Sequence, residues 1–142
     1  MARNQWTTGL CTIFAIALIA LFALPASGED LNIAVGDEIG TEDQGTRLSR
    51  SFSVKIFNSS PGAVSSISLK VLDASAGIHV VDDTVIVSSV EANNYVISDD
   101  GFTLSVERGT RSSGEAIFLH WLVDYTDAAG AHQQVVETVS AF

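Results

Sequence analysis

Three histidines, His79, His120 and His132, are the residues through which general-base or metal chemistry would run in this chain. None has a partner at catalytic spacing in the sequence. His120 and Asp124 are four residues apart, roughly 13 Å on an extended strand, so they share a face but lie beyond hydrogen-bond reach. There is no Gly-x-Ser-x-Gly elbow, His-Glu-x-x-His pair or glycine-rich phosphate loop. The single cysteine, Cys11, stands in the apolar N-terminal segment, so residues 29–142 carry no thiol for a disulfide, a metal or a nucleophile. The histidines therefore read as surface or sheet-face residues, and no catalytic residue is assigned.

The acids offer more. Asp82 and Asp83, Asp99 and Asp100, and Asp124 with Asp127 fall in or beside turn sequences. Calcium takes 6–8 oxygen ligands, so loops converging at one end of a fold could build a site from these carboxylates. The spacing of an EF-hand is absent, and aspartate also serves turns by bonding its own backbone. Asn58-Ser59-Ser60 is an N-glycosylation sequon, expected in a surface turn and followed at once by Pro61. Residues 92–95 (ANNY) suit an adaptable polar-aromatic contact, or a plain turn.

Charge narrows the partners. All 17 acidic residues and six of the seven basic ones lie at or after Glu29, an excess of 11 negative charges. A surface of that sign repels phosphate backbones and anionic lipid, which sets aside nucleic acid and polybasic membrane docking. Before Glu29, Arg3 precedes an uncharged run, LCTIFAIALIALFAL (10–24), and then Pro25 and the small residues Ala26 and Gly28. That order describes a signal peptide over residues 1–28, cleaved before Glu29. An uncleaved anchor is the alternative, since residues 6–26 are long enough to cross a hydrocarbon core of about 30 Å. Either way the body is carried out of the cytoplasm.

Residues 29–142 suit one domain, and their periodicity is two. Residues 31–35 form a short first strand, followed by an acidic loop over residues 36–45. In residues 48–57, Leu48, Phe52, Val54 and Ile56 share a face against Ser51, Ser53 and Lys55. Ile67, Leu69 and Val71 alternate with Ser66, Ser68 and Lys70 in the next strand. Residues 78–81 and 84–87 are short runs split by Asp82-Asp83, and Phe102, Leu104 and Val106 alternate in a later strand.

Residues 116–125 are apolar on both faces, which predicts a central strand with both sides covered. Trp121 should anchor the core. A hairpin loop over 126–130 leads to a last strand carrying Val135, Val139 and Ala141, with Val136. Seven or eight strands with frequent turns predict an all-β fold, an antiparallel β-sandwich preceded by the N-terminal hydrophobic helix. Strands of five to eight residues are shorter than the roughly 9–11 of an outer-membrane barrel, the other all-β choice.

FSVKIFNSSPG (52–62) and VSSISLKV (64–71), with DGFTLSV (100–106), AIFLHWLV (116–123) and DAAG (127–130), resemble a known family. They are similar to the Ig-like, adhesion-related modules (CARDB-type) of bacterial and archaeal envelope proteins. The resemblance spans residues 50–142 and implies an Ig-like sandwich with no catalytic residues and no cofactor. The expected role is a non-catalytic extracytoplasmic interaction or structural module of the cell envelope. It would act by surface contacts, or by strand addition at residues 31–35 or the C-terminal run, on a protein or an envelope polymer. The alternatives are an anchored subunit of an envelope complex, such as an archaeal motility or pilus stator, and a calcium- or carbohydrate-binding module.

Overall fold

A computed structural model describes residues 30–112 and 114–141 of the chain. The signal or anchor segment expected at residues 1–28 lies outside them. Nine strands form where the sequence predicts seven or eight. They are β1 (Leu31–Asp43), β2 (Arg47–Asn58), β3 (Val64–Ala74), β4 (Ile78–Asp82), β5 (Thr84–Val90), β6 (Asn94–Ile97), β7 (Phe102–Glu107), β8 (Ala116–Asp127) and β9 (Gly130–Ala141). All pair antiparallel, in two sheets. The first runs β1-β2-β7-β4, with β6 also on β2; the second runs β5-β3-β8-β9. The expected all-β, two-sheet architecture is therefore present.

The alternating residues close the core between the sheets. Phe52, Val54 and Ile56 of β2 and Phe102 and Leu104 of β7 face Leu69 and Val71 of β3 and Leu119, Trp121 and Val123 of β8. Trp121 is fully buried. Its ring meets Phe102 edge-on at 4.8 Å, and Phe102 in turn leans on Phe52 at 5.7 Å. The indole Nε1 donates to Thr138 Oγ1 at 2.9 Å, so the one polar atom that this side chain brings inside is satisfied.

The two seams between the sheets close differently. On one side Gln134 Nε2 of β9 donates to the Leu31 carbonyl of β1 at 2.8 Å, and Tyr125 Oη donates to Asp30 at 3.2 Å. On the other, the strand returning from β3 divides at Asp83. Its first half, β4, pairs with β7 in the first sheet, and its second half, β5, pairs with β3 in the second. The Asp83 carbonyl accepts from Val71 N at 2.8 Å and its carboxylate from Thr84 Oγ1 at 2.7 Å, which holds the crossing point. The acid pair at 82–83 marks a strand changing sheets.

Several expectations need correction. The acidic loop at 36–45 does not exist: β1 continues to Asp43 as a 13-residue strand, with register shifts between Val35 and Glu38 and between Glu38 and Gly40. Backbone pairing with β2 holds these exposed polar residues in place, and bulges absorb the mismatch. Gly101 explains the close packing nearby. A Cβ there would sit 2.8 Å from the Phe52 carbonyl oxygen and 2.6 Å from Ile39 Cδ1, so no other residue fits without movement.

Five strands run 11–13 residues, longer than expected, because the turns at 44–46 and 128–129 are tight. β8 is indeed the inner strand of its sheet, between β3 and β9, but only one of its faces is covered. Phe118 is 46% exposed and Leu122 half-buried. On β9, Val136 and Thr138 point inward, while Val135 and Val139 face outward. The cross-strand pairs Trp121 with Val136 and Leu119 with Thr138 fix that side.

Candidate functional site

The outward face of the second sheet is built by residues that the alternation leaves over once the core is filled. On β8 these are Phe118, His120, Leu122 and Asp124; on β9, opposite them, Val139, Glu137, Val135 and Gln133. β3 adds Leu72, Asp73, Lys70 and Ser68, and β5 adds Ile86. Leu72, Ile86, Phe118, Val135 and Val139 lie between 46% (Phe118) and 59% (Val135) exposed. A soluble surface tolerates such residues singly. Several sharing one face indicate a contact surface.

Across the middle of this face runs a single row of charge. The register places Glu137, His120 and Asp73 side by side on β9, β8 and β3. His120 Nε2 lies 2.9 Å from Glu137 Oε2, and Nδ1 is hydrogen-bonded to Asp73 Oδ1. Both ring nitrogens can donate at once only in the imidazolium form. The Asp73 hydrogen bond, and then that of Glu137, accordingly raise the His120 pKa above its usual 6.5. With His120 protonated, the row holds one cation between two anions and carries a net charge of −1. Phe118 and Val139 flank it on one side, Leu122 and Val135 on the other. The arrangement is an apolar surface on three paired strands, crossed by one ionic row.

The residues singled out in the sequence are dispersed. Asp82 and Asp83 hold the sheet crossing, with Asp82 Oδ1 accepting from Thr84 N at 3.4 Å and Asp83 3.7 Å from the Lys70 ammonium. Asp100 accepts from Gly101 N at 2.9 Å in the turn between β6 and β7, beside Asp99. Asp124 accepts from Gln133 at 2.7 Å on the outer face. Asp127 closes the last hairpin: its Oδ1 accepts from Ala129 N, Gly130 N and His132 Nε2, at 2.7–3.1 Å. The His132 hydrogen bond, with those two amides, holds the Asp127 carboxyl below the usual carboxylate range. Among the described residues no three His, Cys, Asp or Glu side chains converge on a point where a metal could sit. Asp82, Asp100 and Asp127 accept from backbone amides close in sequence, as aspartate does in turns.

Asn58 is not a surface residue. It is fully buried, and Nδ2 donates to the carbonyls of Gly62, Val90 and Glu91 at 2.8–3.2 Å. Its Oδ1 accepts from both Ser60 N and Ser60 Oγ, at 3.0 and 2.7 Å. The sequon asparagine is the hub tying the β2–β3 turn to the β5–β6 turn, and in the folded protein its nitrogen faces no solvent. Asn93, in residues 92–95, adopts a left-handed φ of 53°, which asparagine accommodates within a turn. His132 stacks on Tyr125 at 5.1 Å, and burial beside Asp30 pushes the Tyr125 hydroxyl up to about 12.

The Glu137–His120–Asp73 row was not read from the sequence. Its half on β9 had a signal: a two-residue turn after Asp127 sets His120 opposite Glu137. Asp73 had none, because β3 reaches β8 across 46 intervening residues and through a bulge.

No protein-family model matches the chain, and no curated protein sequence matches it. Its backbone is similar to the yeast GGA1 GAE domain, at 15% identity and a TM-score of 0.49 over 80% of this chain and 91% of that one. It is similar to the N-terminal domain of PorA at 10% identity and a TM-score of 0.39, over 78% and 96%. It is also similar to part of a GH20 exo-β-N-acetylglucosaminidase from Vibrio harveyi, at 14% identity and a TM-score of 0.34, over 76% of this chain and 17% of the enzyme. No activity or partner passes to this chain from likenesses of that degree.

Proposed function

We propose that this chain is a non-catalytic interaction or structural module of the cell envelope, working outside the cytoplasm. Its contacts run through the open face of the second sheet. The observation that carries the reading is that face: five large apolar side chains about half exposed, on rigid strands, around a net-anionic row. Burying such a patch yields roughly 25 cal/mol per Å² of apolar surface, so covering it would be favourable wherever a matching surface is presented. The partner suited to it is a protein whose own apolar face carries a lysine or arginine opposite the row. Self-association through this face is opposed by the excess of negative charge on both copies.

The Ig-like reading gains support from the strand neighbours. β1-β2-β7-β4 corresponds to the A-B-E-D sheet of that fold, and β3-β8-β9 to C-F-G. β5 lies beside β3, but it follows β4 in the chain and so departs from the usual order. The extracytoplasmic placement rests on the sequence of residues 1–28, and N-terminal sequencing of the native protein tests it: a start at Glu29 means cleavage, a start at Met1 an anchor.

The docking face is tested by Phe118→Asp and Val139→Asp, each introduced into the full chain in its own cells. Loss of co-fractionation with the envelope, at an unchanged melting temperature, is the expected result. Unchanged co-fractionation of both variants sinks the assignment of this face. If an envelope polymer rather than a protein is the partner, protease treatment of the envelope will leave the association intact.

A further inference from the structure

All four arginines of residues 29–142 gather at one end of this acidic chain. Arg47 and Arg50 lie near the start of β2, Arg108 and Arg111 in the segment that follows β7, and the β2–β7 register, Arg47 opposite Glu107, brings the two pairs together. Between them is a cleft of about 250 Å³, with Leu48 and Val106 as its apolar lining and Arg50, Arg108 and Arg111 around it. Each arginine has a carboxylate neighbour: Glu107 at 3.7 Å from Arg47, Glu38 at 3.7 Å from Arg50, Glu115 at 3.2 Å from Arg111, and Asp43 bonded to Arg108. Most of these carboxylates are half exposed, where an ion pair contributes about 0–1 kcal/mol, so an incoming anion can exchange with them.

Arg111 differs from the others. Its side chain is nine-tenths buried, and Nη1 and Nη2 donate to the Ala76 and Ala116 carbonyls at 2.9 and 2.8 Å. Among the described residues its buried Nε has no hydrogen-bond partner, which is costly to leave so in a folded protein.

We propose that this cleft binds the terminal carboxylate of a peptide chain that ends in an aliphatic residue. Guanidinium forks match a carboxylate in a planar, two-point geometry. Leu48 and Val106 offer contact to a short apolar side chain, and the volume falls below the roughly 300–1,000 Å³ of sites for larger ligands. Glu107, which also lines the cleft, penalises a dianion more than a monoanion and so favours carboxylate over phosphate. This site lies apart from the open sheet face and does not depend on that face being a docking surface.

The test uses the full chain, with the amide signals of residues 107–112 followed by NMR during titration with N-acetyl-leucine. Saturable shifts are expected, with N-acetyl-leucinamide binding at least about tenfold more weakly because it lacks the charge. Arg108→Gln should weaken N-acetyl-leucine by a similar factor. Asp43→Asn, which releases Arg108 from its carboxylate, should tighten it a few-fold, and Phe118→Asp should leave it unchanged. No saturable shift, equal binding of the amide, or inorganic phosphate binding as well as N-acetyl-leucine overturns the proposal. Indifference to both Arg108→Gln and Asp43→Asn does so as well.

Discussion

The two sheets share one core and arrange their outward side chains differently. On the outer side of the first, Ser49, Ser51 and Ser53 of β2 stand beside Thr103 and Ser105 of β7. Ser51 and Thr103 bond each other at 2.8 Å, and Ser53 donates to the Asp37 carbonyl at 3.3 Å. The strands of this first sheet also expose Ile39 and Val81 and, where β6 pairs, Phe57, Tyr95 and Ile97, with the Lys55 ammonium 4.3 Å from the Tyr95 ring centre. The second sheet turns out Leu72, Ile86, Phe118, Val135 and Val139. On the outer side of the first sheet Ser49, Ser53 and Ser105 are buried, and among the described residues the Ser105 hydroxyl has no hydrogen-bond partner. Exposed valines and a phenylalanine gain nothing more until another surface covers them. The difference lies in arrangement: the second sheet sets its exposed apolar side chains around one ionic row, and the first lines the middle of its outer side with small hydroxyls.

That contrast presupposes a common core, and the largest expected effect lies there. Trp121→Ala should cost about 3–5 kcal/mol in urea unfolding, because it opens a cavity and strands Thr138. Phe118→Ala, three positions before it on the opposite face, should change stability by no more than about 0.5 kcal/mol. Similar losses for both would mean that the outer face is covered within the monomer. Next comes Asn58→Ala, expected to cost about 3 kcal/mol by thermal melting, since the Val90 carbonyl loses a buried donor and Ser60 N and Oγ lose their buried acceptor. A near-neutral result would show that the two turns close without their hub.

Smaller again is Ser51→Ala, at about 1 kcal/mol, with the double variant Ser51→Ala/Thr103→Val less damaging than additivity predicts. Additive losses in that cycle would deny that Ser51 and Thr103 satisfy each other. The finest test is by pH. The folded His120 pKa lies above 6.5, so the stabilisation from the row is complete below 6.5 and lost as pH rises through the folded value. His120→Gln should flatten the melting temperature across that window, and Asp73→Asn should bring the histidine's NMR titration back toward 6.5. Asp127, held below 3.8, acts in the opposite sense: its contribution is present above 3.8 and fades as pH falls through its lowered pKa. A native-chain melting temperature as indifferent to pH above 6.5 as that of His120→Gln would leave the row without energetic weight.

Alternation in residues 48–57, 67–71, 102–106 and 116–125 made the two-sheet architecture and the place of Trp121 legible, because a side-chain period of two is a local property of extended backbone. The same rule left β9 undecided. Val135 and Val139 look like core residues beside Val136 and Thr138, and only pairing with Trp121 and Leu119 decides which of the two sets faces inward. It also failed at residues 36–43, where polar composition suggests a loop and the partner strand supplies the hydrogen bonds of a strand.

By itself the sequence determined the strand-forming segments, the acid excess, the lack of thiols in residues 29–142 and the turn chemistry at the aspartates, all of which follow from residue type and near-neighbour spacing. Only the tertiary structure decided that His120 lies between Asp73 and Glu137, that Asn58 is buried, and that Arg50, Arg108 and Arg111 gather around one cleft. Each of those meetings joins residues from separate strands or turns, most of them far apart along the chain. Strand order and register set them, and a one-residue slip in register would send every side chain concerned to the other face.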